Sequence, residues 1–482
     1  AVSTLPTAGM VSVNGVNTAM GRYPNSTGPN TGYITIASHS GSFSITATGG
    51  LGSTNWTGAG IVIRKQRWAM ESGTITSQSG NTLNFQDPNV DDPQDGFGFF
   101  IQNDPRTLDV NGEWYYNPST HKLRIYSTSS PSNVQIATIE NLVSIDVKSY
   151  VVFDNLAIKG SNSAGINCLE YGGNNLTIQN CDVSFAGQQG IVSLENNSTI
   201  QNNTVNYANS LGIYTSQPNC LIQNNTIKNI NMLEGMGANV VSPGIQNYGA
   251  NSVIKNNVLD SLGYMGISFS GLNVSVKNNF VSNICFIKDD GGGICMGGRS
   301  LGEGSVIDGN IVLNAIGAPQ GSVGNAFTDA SGIMIDGYGT GITVINNTTA
   351  NCANSGIKLL EDQRIIVNNN TCYNNGLNYS WATGGIQLLS GSDLAIRNIT
   401  MQGNIFVART ASQVALFAYG ASGSTADLLQ CGTFDKNYYA KPIDQSTAIL
   451  ANSNPYSIAG WQSYSGQDAH SLGSPKAITD TN

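Results

Sequence analysis

Six carboxylates stand in three short phrases of this chain. Asp289 and Asp290 lie in KDDGGGIC (288–295), Asp329 and Asp336 in DASGIMIDG (329–337), and Glu361 and Asp362 in KLLEDQR (358–364). Charged residues make up only 11% of the 482 positions, about half the ordinary globular share, so this concentration stands out. Carboxylates brought together disfavour joint ionisation. One is then held protonated beside an ionised neighbour, which is the arrangement that general acid and base chemistry needs. Hydrolysis of a glycosidic bond commonly uses two such groups, about 5–5.5 Å apart in retaining enzymes and about 6.5–9.5 Å in inverting ones. The same oxygen-rich grouping suits calcium, which is possible here; no cofactor is required and no metal site is assigned. The three histidines, His39, His121 and His470, all lie outside these phrases, which disfavours a histidine base or a histidine-rich metal site.

Residues so far apart meet only if the chain winds, and the repeats indicate that it does. STIQNNTV (198–205), CLIQNNTI (220–227), SVIKNNVL (252–259), VSVKNNFV (274–281), SVIDGNIV (305–312) and ITVINNTT (342–349) are copies of one phrase. Their alignment puts Asn155, Asn203, Asn225, Asn257, Asn279, Asn310, Asn347, Asn370 and Asn404 at one site, with Cys181 in that place once. A Gly-Ile pair recurs at Gly165, Gly190, Gly212, Gly244, Gly266, Gly293, Gly332, Gly356 and Gly385. The base unit is about 22–25 residues. Its apolar residues alternate with period two, which means strands, and the unit has no room for an added helix. A parallel β-solenoid is the architecture expected of such a period. The asparagines are expected at a turn, where Asn tolerates left-handed backbone and stacked amides bond in a ladder.

This winding defines a candidate site. Matching Gly293-Ile294 with Gly332-Ile333 stacks Asp290 on Asp329. With Ile333, Ile335, Ile357 and Leu359 pointing inward, Asp336 and Lys358 point outward, and Glu361 falls one position past the site matching Asp336. Neighbouring coils lie about 4.8 Å apart. Asp290, Asp329, Asp336 and Glu361 are therefore the catalytic candidates, with Asp289 as rival to Asp290; Asp362 ranks below its neighbour. The longest interval between Gly-Ile pairs, Gly293 to Gly332, borders this patch and is expected to wall a cleft. Lys288, Arg299, Tyr338, Lys358, Arg364 and Trp381 are the candidate substrate contacts.

Three parts are expected: a β-rich module over 1–140, the solenoid over 141–440 and a tail over 441–482. The module's strand candidates are VSVNG, GYITIA, SFSITA, AGIVIRK and HKLRIYS. It is expected to cap the first coil and cover one flank, as repeat proteins need protected ends. The tail is expected to fold back on the outside. The eight cysteines, all but Cys431 within the repeats, read mostly as small buried apolar residues, with one or two disulfides possible. A net charge of −9 and a pI near 4.8 argue against nucleic acid as a partner. No apolar run reaches the length of a membrane span. There is no phosphate loop, dinucleotide fingerprint or Ser-His-Asp spacing. The chain starts at Ala1 without a charged leader, as a secreted, periplasmic or cell-surface protein would after signal removal, and a monomer is expected.

Several phrases together resemble secreted bacterial right-handed parallel β-helix carbohydrate enzymes. These are GFFIQNDPRTLDVNGEWYYNPSTHKLRIYS (98–127), MGRYPN (20–25), DDGGGI (289–294), GIMIDG (332–337) and GWQSYSGQDAHS (460–471). The likeness is to glycoside hydrolases of the kind grouped in families 120 and 141. It implies a right-handed helix and an enzyme acting on a polysaccharide or oligosaccharide through paired carboxylates on the helix face. By motif those are Asp290 (or Asp289), Asp336 and Glu361. Two alternatives stand beside it. One is a polysaccharide lyase on the same fold, with Lys288, Lys358 or Arg364 as base or carboxylate neutraliser. The other is a non-catalytic carbohydrate-binding solenoid.

Overall fold

The computed structural model describes residues 6–86, 91–237, 241–297, 302–323, 328–378, 383–391 and 393–474. Among them, three long parallel sheets of 13, 11 and 12 strands take successive strands of the chain in turn. Each coil lays one strand on each sheet, so the chain is an all-β, right-handed parallel solenoid. The inward column of the first sheet runs Ile191, Ile213, Ile245, Ile267, Ile294, Ile333, Ile357, Ile386 in unbroken register. Every member is fully buried. The glycine before each isoleucine marks where coils approach too closely for a side chain. A Cβ on Gly212 would lie 2.4 Å from the carbonyl oxygen of Gly244, and one on Gly266 would lie 2.3 Å from that of Gly293.

The expected asparagine turn divides into two adjacent columns with different tasks. The buried column is Asn203, Asn225, Asn257, Asn279, Asn310, Asn347, Asn370, Asn404 and Asn437. In each step the backbone N–H and the side-chain Nδ2 both donate to Oδ1 of the next asparagine, at 2.9–3.1 Å. Nδ2 also donates to a carbonyl of the preceding coil, as Asn257 does to Ile222 at 3.0 Å. The left-handed backbone belongs to the residue before, at Asn202, Asn224, Asn256, Asn278, Asn346 and Asn369, with glycine at 309 and 403. Asn155 belongs to this left-handed column, because Asp154 pairs with Gln179 and so Asn155 stacks on Asn180. The two tasks separate because an inward amide needs a ladder partner, while an outward residue needs only positive φ.

The N-terminal segments expected as strands are strands: Val11–Val13, Ile34–His39, Ser44–Ala47, Gly60–Arg64 and Lys122–Ile125. A seven-stranded antiparallel sheet encloses its own apolar cluster around Ile61, Phe99 and Ile101 and packs against the solenoid flank. Arg64, fully buried, anchors it by donating to the carbonyls of Ile287 at 2.9 Å, Gln320 at 3.0 Å and Ala318 at 2.7 Å. The tail closes the far end instead of folding along the outside. Trp461, on the short helix Ile458–Ser465, is buried in the solenoid core, and Leu472–Gly473 adds to the third sheet. An apolar last coil requires such a cover. All eight cysteines are buried and free, with no disulfide. Among the described residues no helix is long and apolar enough to cross a membrane.

Adjacent residues at the corner should respond very differently to substitution. Asn257→Ala leaves buried donors on Asn225 without a partner and is expected to destabilise by about 2–5 kcal/mol. Asn256→Gly, at φ 56°, is expected to change stability by less than about 1 kcal/mol. Thermal melts of the two variants compare them directly.

Candidate functional site

The register brings the acids of two coils together. Gly291 pairs with Ala330, so Asp290 and Asp329 stack, and Ile294 pairs with Ile333. Lys358, opposite Met334 on the following coil, ties the acids together, with Nζ 3.1 Å from Asp329 Oδ2 and 3.8 Å from Asp290 Oδ1. Asn354 Nδ2 donates to the other oxygen of Asp329 at 2.6 Å. Asp290 sits in left-handed backbone at φ 56°, and the Tyr264 hydroxyl donates to its carbonyl at 2.9 Å. That bend turns its side chain out of the wall.

Asp290 and Asp336 both line one cleft of about 690 Å³. Trp68, Tyr248, Tyr264, Met265, Cys295 and Met334 also line it, so the two carboxyls open onto a largely apolar space. Burial pushes the Asp290 carboxyl up to about 7; Lys358 opposes the shift, and the charges of Asp329, Asp336 and Asp289 add to it. Asp336 is also raised, again chiefly by burial against the pull of Lys358.

The remaining candidates occupy different places. Asp289 is fully buried behind the cleft, not on its wall. It is ion-paired with Arg67 and accepts the Asp329 backbone N–H at 2.8 Å, so it joins the N-terminal module to the acid pair. Burial raises its carboxyl despite Arg67. Asp362 is likewise buried and caps backbone N–H groups of Gly339 and Leu360 at 2.8 and 3.0 Å. Lys288 is buried against the Tyr264 ring and Ser242, and burial, assisted by Arg64, lowers its amine to about 7. Glu361 and Tyr338 stand beside Asp393, Glu361 accepting its N–H at 3.4 Å and Tyr338 donating to its carboxylate at 3.2 Å. Arg364 pairs with Glu303 at 3.1 Å on an exposed corner, apart from the acids. Arg299 and Trp381 lie outside the described residues.

Trp68 was not foreseen from the sequence. It occupies the turn between Gly60–Arg64 and Met70–Ser79 of the N-terminal module and is 41% exposed. Docking of Arg64 and Arg67 onto the solenoid carries it over the cleft. The signal available was local: three cations in RKQRW (64–68), in a chain with only 21, followed by a tryptophan.

The family model described as the right-handed beta helix region matches residues 123–281, 237–424 and 307–454. Together these cover well over half of the chain, which belongs to that family. Among solved structures it is similar to a protein titled glycoside hydrolase, at 14% identity and a TM-score of 0.52, covering 72% of this chain and 74% of that one. It is also similar to the tailspike protein of E. coli bacteriophage HK620 (12% identity, TM-score 0.43, 64% and 55% covered). A third is the mannuronan C-5 epimerase A-module of Azotobacter vinelandii (14% identity, TM-score 0.44, 68% and 85% covered). These likenesses concern the fold. No curated protein matches the chain.

The raised Asp290 carboxyl has a consequence for stability. A carboxyl whose folded pKa lies above its unfolded value stabilises fully below the unfolded pKa, and that contribution is lost as pH rises through the folded one. Here the window is from about 3.8 to about 7. Asp290→Asn is therefore expected to raise the melting temperature relative to the parent at pH 8, with the gap closing by pH 4. Melts across that range test the sign.

Proposed function

We propose that this protein is a glycoside hydrolase whose proton donor is Asp290 and whose second carboxylate is Asp336. The observation that carries the reading is two acids, Asp290 and Asp336, on one largely apolar cleft, where burial raises both carboxyls. At neutral pH such a group still holds a proton to give to a leaving glycosidic oxygen. Asp336 then serves as nucleophile or as the base that activates water, according to the spacing in the substrate complex. Asp329 and Lys358 hold the charge balance between the two, and Asp289 fixes the backbone of Asp329 from behind.

The substrate in this reading is a polysaccharide or oligosaccharide. The fold shared with a glycoside hydrolase supports the reading without deciding the reaction. The lyase alternative assigns a base to Lys358 or Lys288. Lys358 is ion-paired with Asp329 and Lys288 is buried behind the Tyr264 ring, so neither is placed to take a proton from a sugar. Arg364 is engaged with Glu303. The non-catalytic alternative gives no use for a carboxyl held protonated near neutrality.

Asp290→Asn and Asp336→Asn are each expected to lower kcat on a responsive glycan by roughly 10²–10⁴-fold while the fold is kept. The parent's kcat should fall on the alkaline side with a midpoint near pH 7, where Asp290 loses its proton. Reducing-end release from a polysaccharide panel measures both. Undiminished turnover in both variants would remove the assignment, and products carrying a uronate double bond would point to the lyase.

A further inference from the structure

The cleft continues away from the acids on one side. Tyr248 belongs to the same column as Asp336. Asn247 pairs with Phe269, Phe269 with Met296 and Met296 with Ile335, so the residue after each stacks in the same line. Three coils separate Tyr248 from Asp336, roughly 14 Å at the strand spacing. The neighbouring outward column runs Tyr214, Gln246, Ser268, Cys295, Met334, Lys358. Tyr214 and Tyr248 meet edge to face with ring centroids 6.0 Å apart, and Gln246 hydrogen-bonds the Tyr248 hydroxyl. Tyr248 is 45% exposed, and Trp68 extends over the same cleft from the N-terminal module.

We infer that Trp68, Tyr248 and Tyr214 form a binding groove for a neutral glycan chain laid along the solenoid axis, entering the acid pair from the N-terminal side. This rests on the glycosidase reading for the direction of the groove, but the binding itself does not. Aromatic rings at a wet surface offer a broad apolar face with a polar edge, which matches the C–H face and hydroxyl rim of a sugar ring. Rings on two adjacent coils, with Trp68 over the same cleft, make contacts that a single sugar does not fill. The floor between them and Lys358 is built from uncharged side chains, Gln246, Ser268, Cys295 and Met334. Among the described residues that line the cleft there is no Lys or Arg. Arg67 faces Asp289 and Lys288 lies beneath the surface. A polyuronate would bring carboxylates next to Asp290 and Asp336, where the cation among the described residues of this outward column is Lys358, already paired with Asp329.

The test separates binding from turnover. The Asp336→Asn protein is run through native gels cast with xylan, arabinan, galactomannan, alginate or polygalacturonate. Retardation by at least one neutral glycan is expected, with Trp68→Ala, Tyr248→Ala and Tyr214→Ala on that background each weakening it about two- to tenfold. Trp68→Phe should restore most of the loss, and migration in glycan-free gels reports folding. In otherwise unsubstituted protein the alanine variants should lose activity on long chains more than on di- or trisaccharides. Retardation only by the polyuronates, retardation by none, or retardation unchanged by all three alanine substitutions would overturn the inference. If the aromatic variants weaken binding while Asp290→Asn and Asp336→Asn leave turnover intact, the groove stands and the catalytic assignment falls. The reverse pattern keeps the acids and removes the groove.

Discussion

The whole arrangement depends on coils stacking in strict register, and the buried asparagine ladder is the interaction that most directly enforces it. Each rung satisfies a backbone N–H, two amide hydrogens and a carbonyl at a buried position. A slip of one residue would turn every rung outward and leave those groups unpaired, at a cost of about 1–3 kcal/mol for each. Apolar columns alone tolerate sliding better, since isoleucine stacks on isoleucine or valine with similar gain. The ladder therefore fixes which residues of distant coils are neighbours. Asp290 meets Asp329 because Asn279, Asn310 and Asn347 are rungs of one column.

On that frame, chemistry arises where the regular pattern is interrupted. Elsewhere many outward positions carry Thr, Gln or Lys, as at Thr177, Gln179, Thr199, Gln201, Gln223, Lys255 and Lys277, and the corners carry asparagine. Around the acids the wall changes: a left-handed aspartate, a lysine held between carboxylates, and a tryptophan delivered from another part of the chain. The N-terminal module is thus more than a cover. Its Arg64 locks it to the flank, its Arg67 neutralises the buried Asp289, and its Trp68 narrows the cleft. Burial is the main cause of the raised Asp290 carboxyl, with Lys358 opposing it and Asp329, Asp336 and Asp289 adding to it.

The solenoid was legible in the sequence because its period is short and its rule simple. The repeated Asn and Gly-Ile phrases gave the coil length, and alternation gave the inward face, so the stacking of Asp290 on Asp329 followed from counting. What counting could not distinguish was neighbouring residues with opposite fates. Asp289 and Asp290 are adjacent, yet one is buried against Arg67 and the other opens onto the cleft; the difference lies in the positive φ of Asp290. Asn202 and Asn203 read alike, yet one makes the bend and the other the ladder. Lys288 and Arg364 looked like substrate contacts by proximity along the chain, but the first is covered by the N-terminal module and the second lies on an exposed corner. Trp68 was beyond reach because its place depends on docking between segments more than 200 residues apart.

The most direct measurement is a structure of the Asp336→Asn protein with an oligosaccharide bound. The account predicts sugar rings in the cleft under Trp68, with a glycosidic oxygen within hydrogen-bond distance of the Asp290 carboxyl. Sugar seated on another wall of the solenoid, or in this cleft with Asp290 turned away from every glycosidic oxygen, would contradict it.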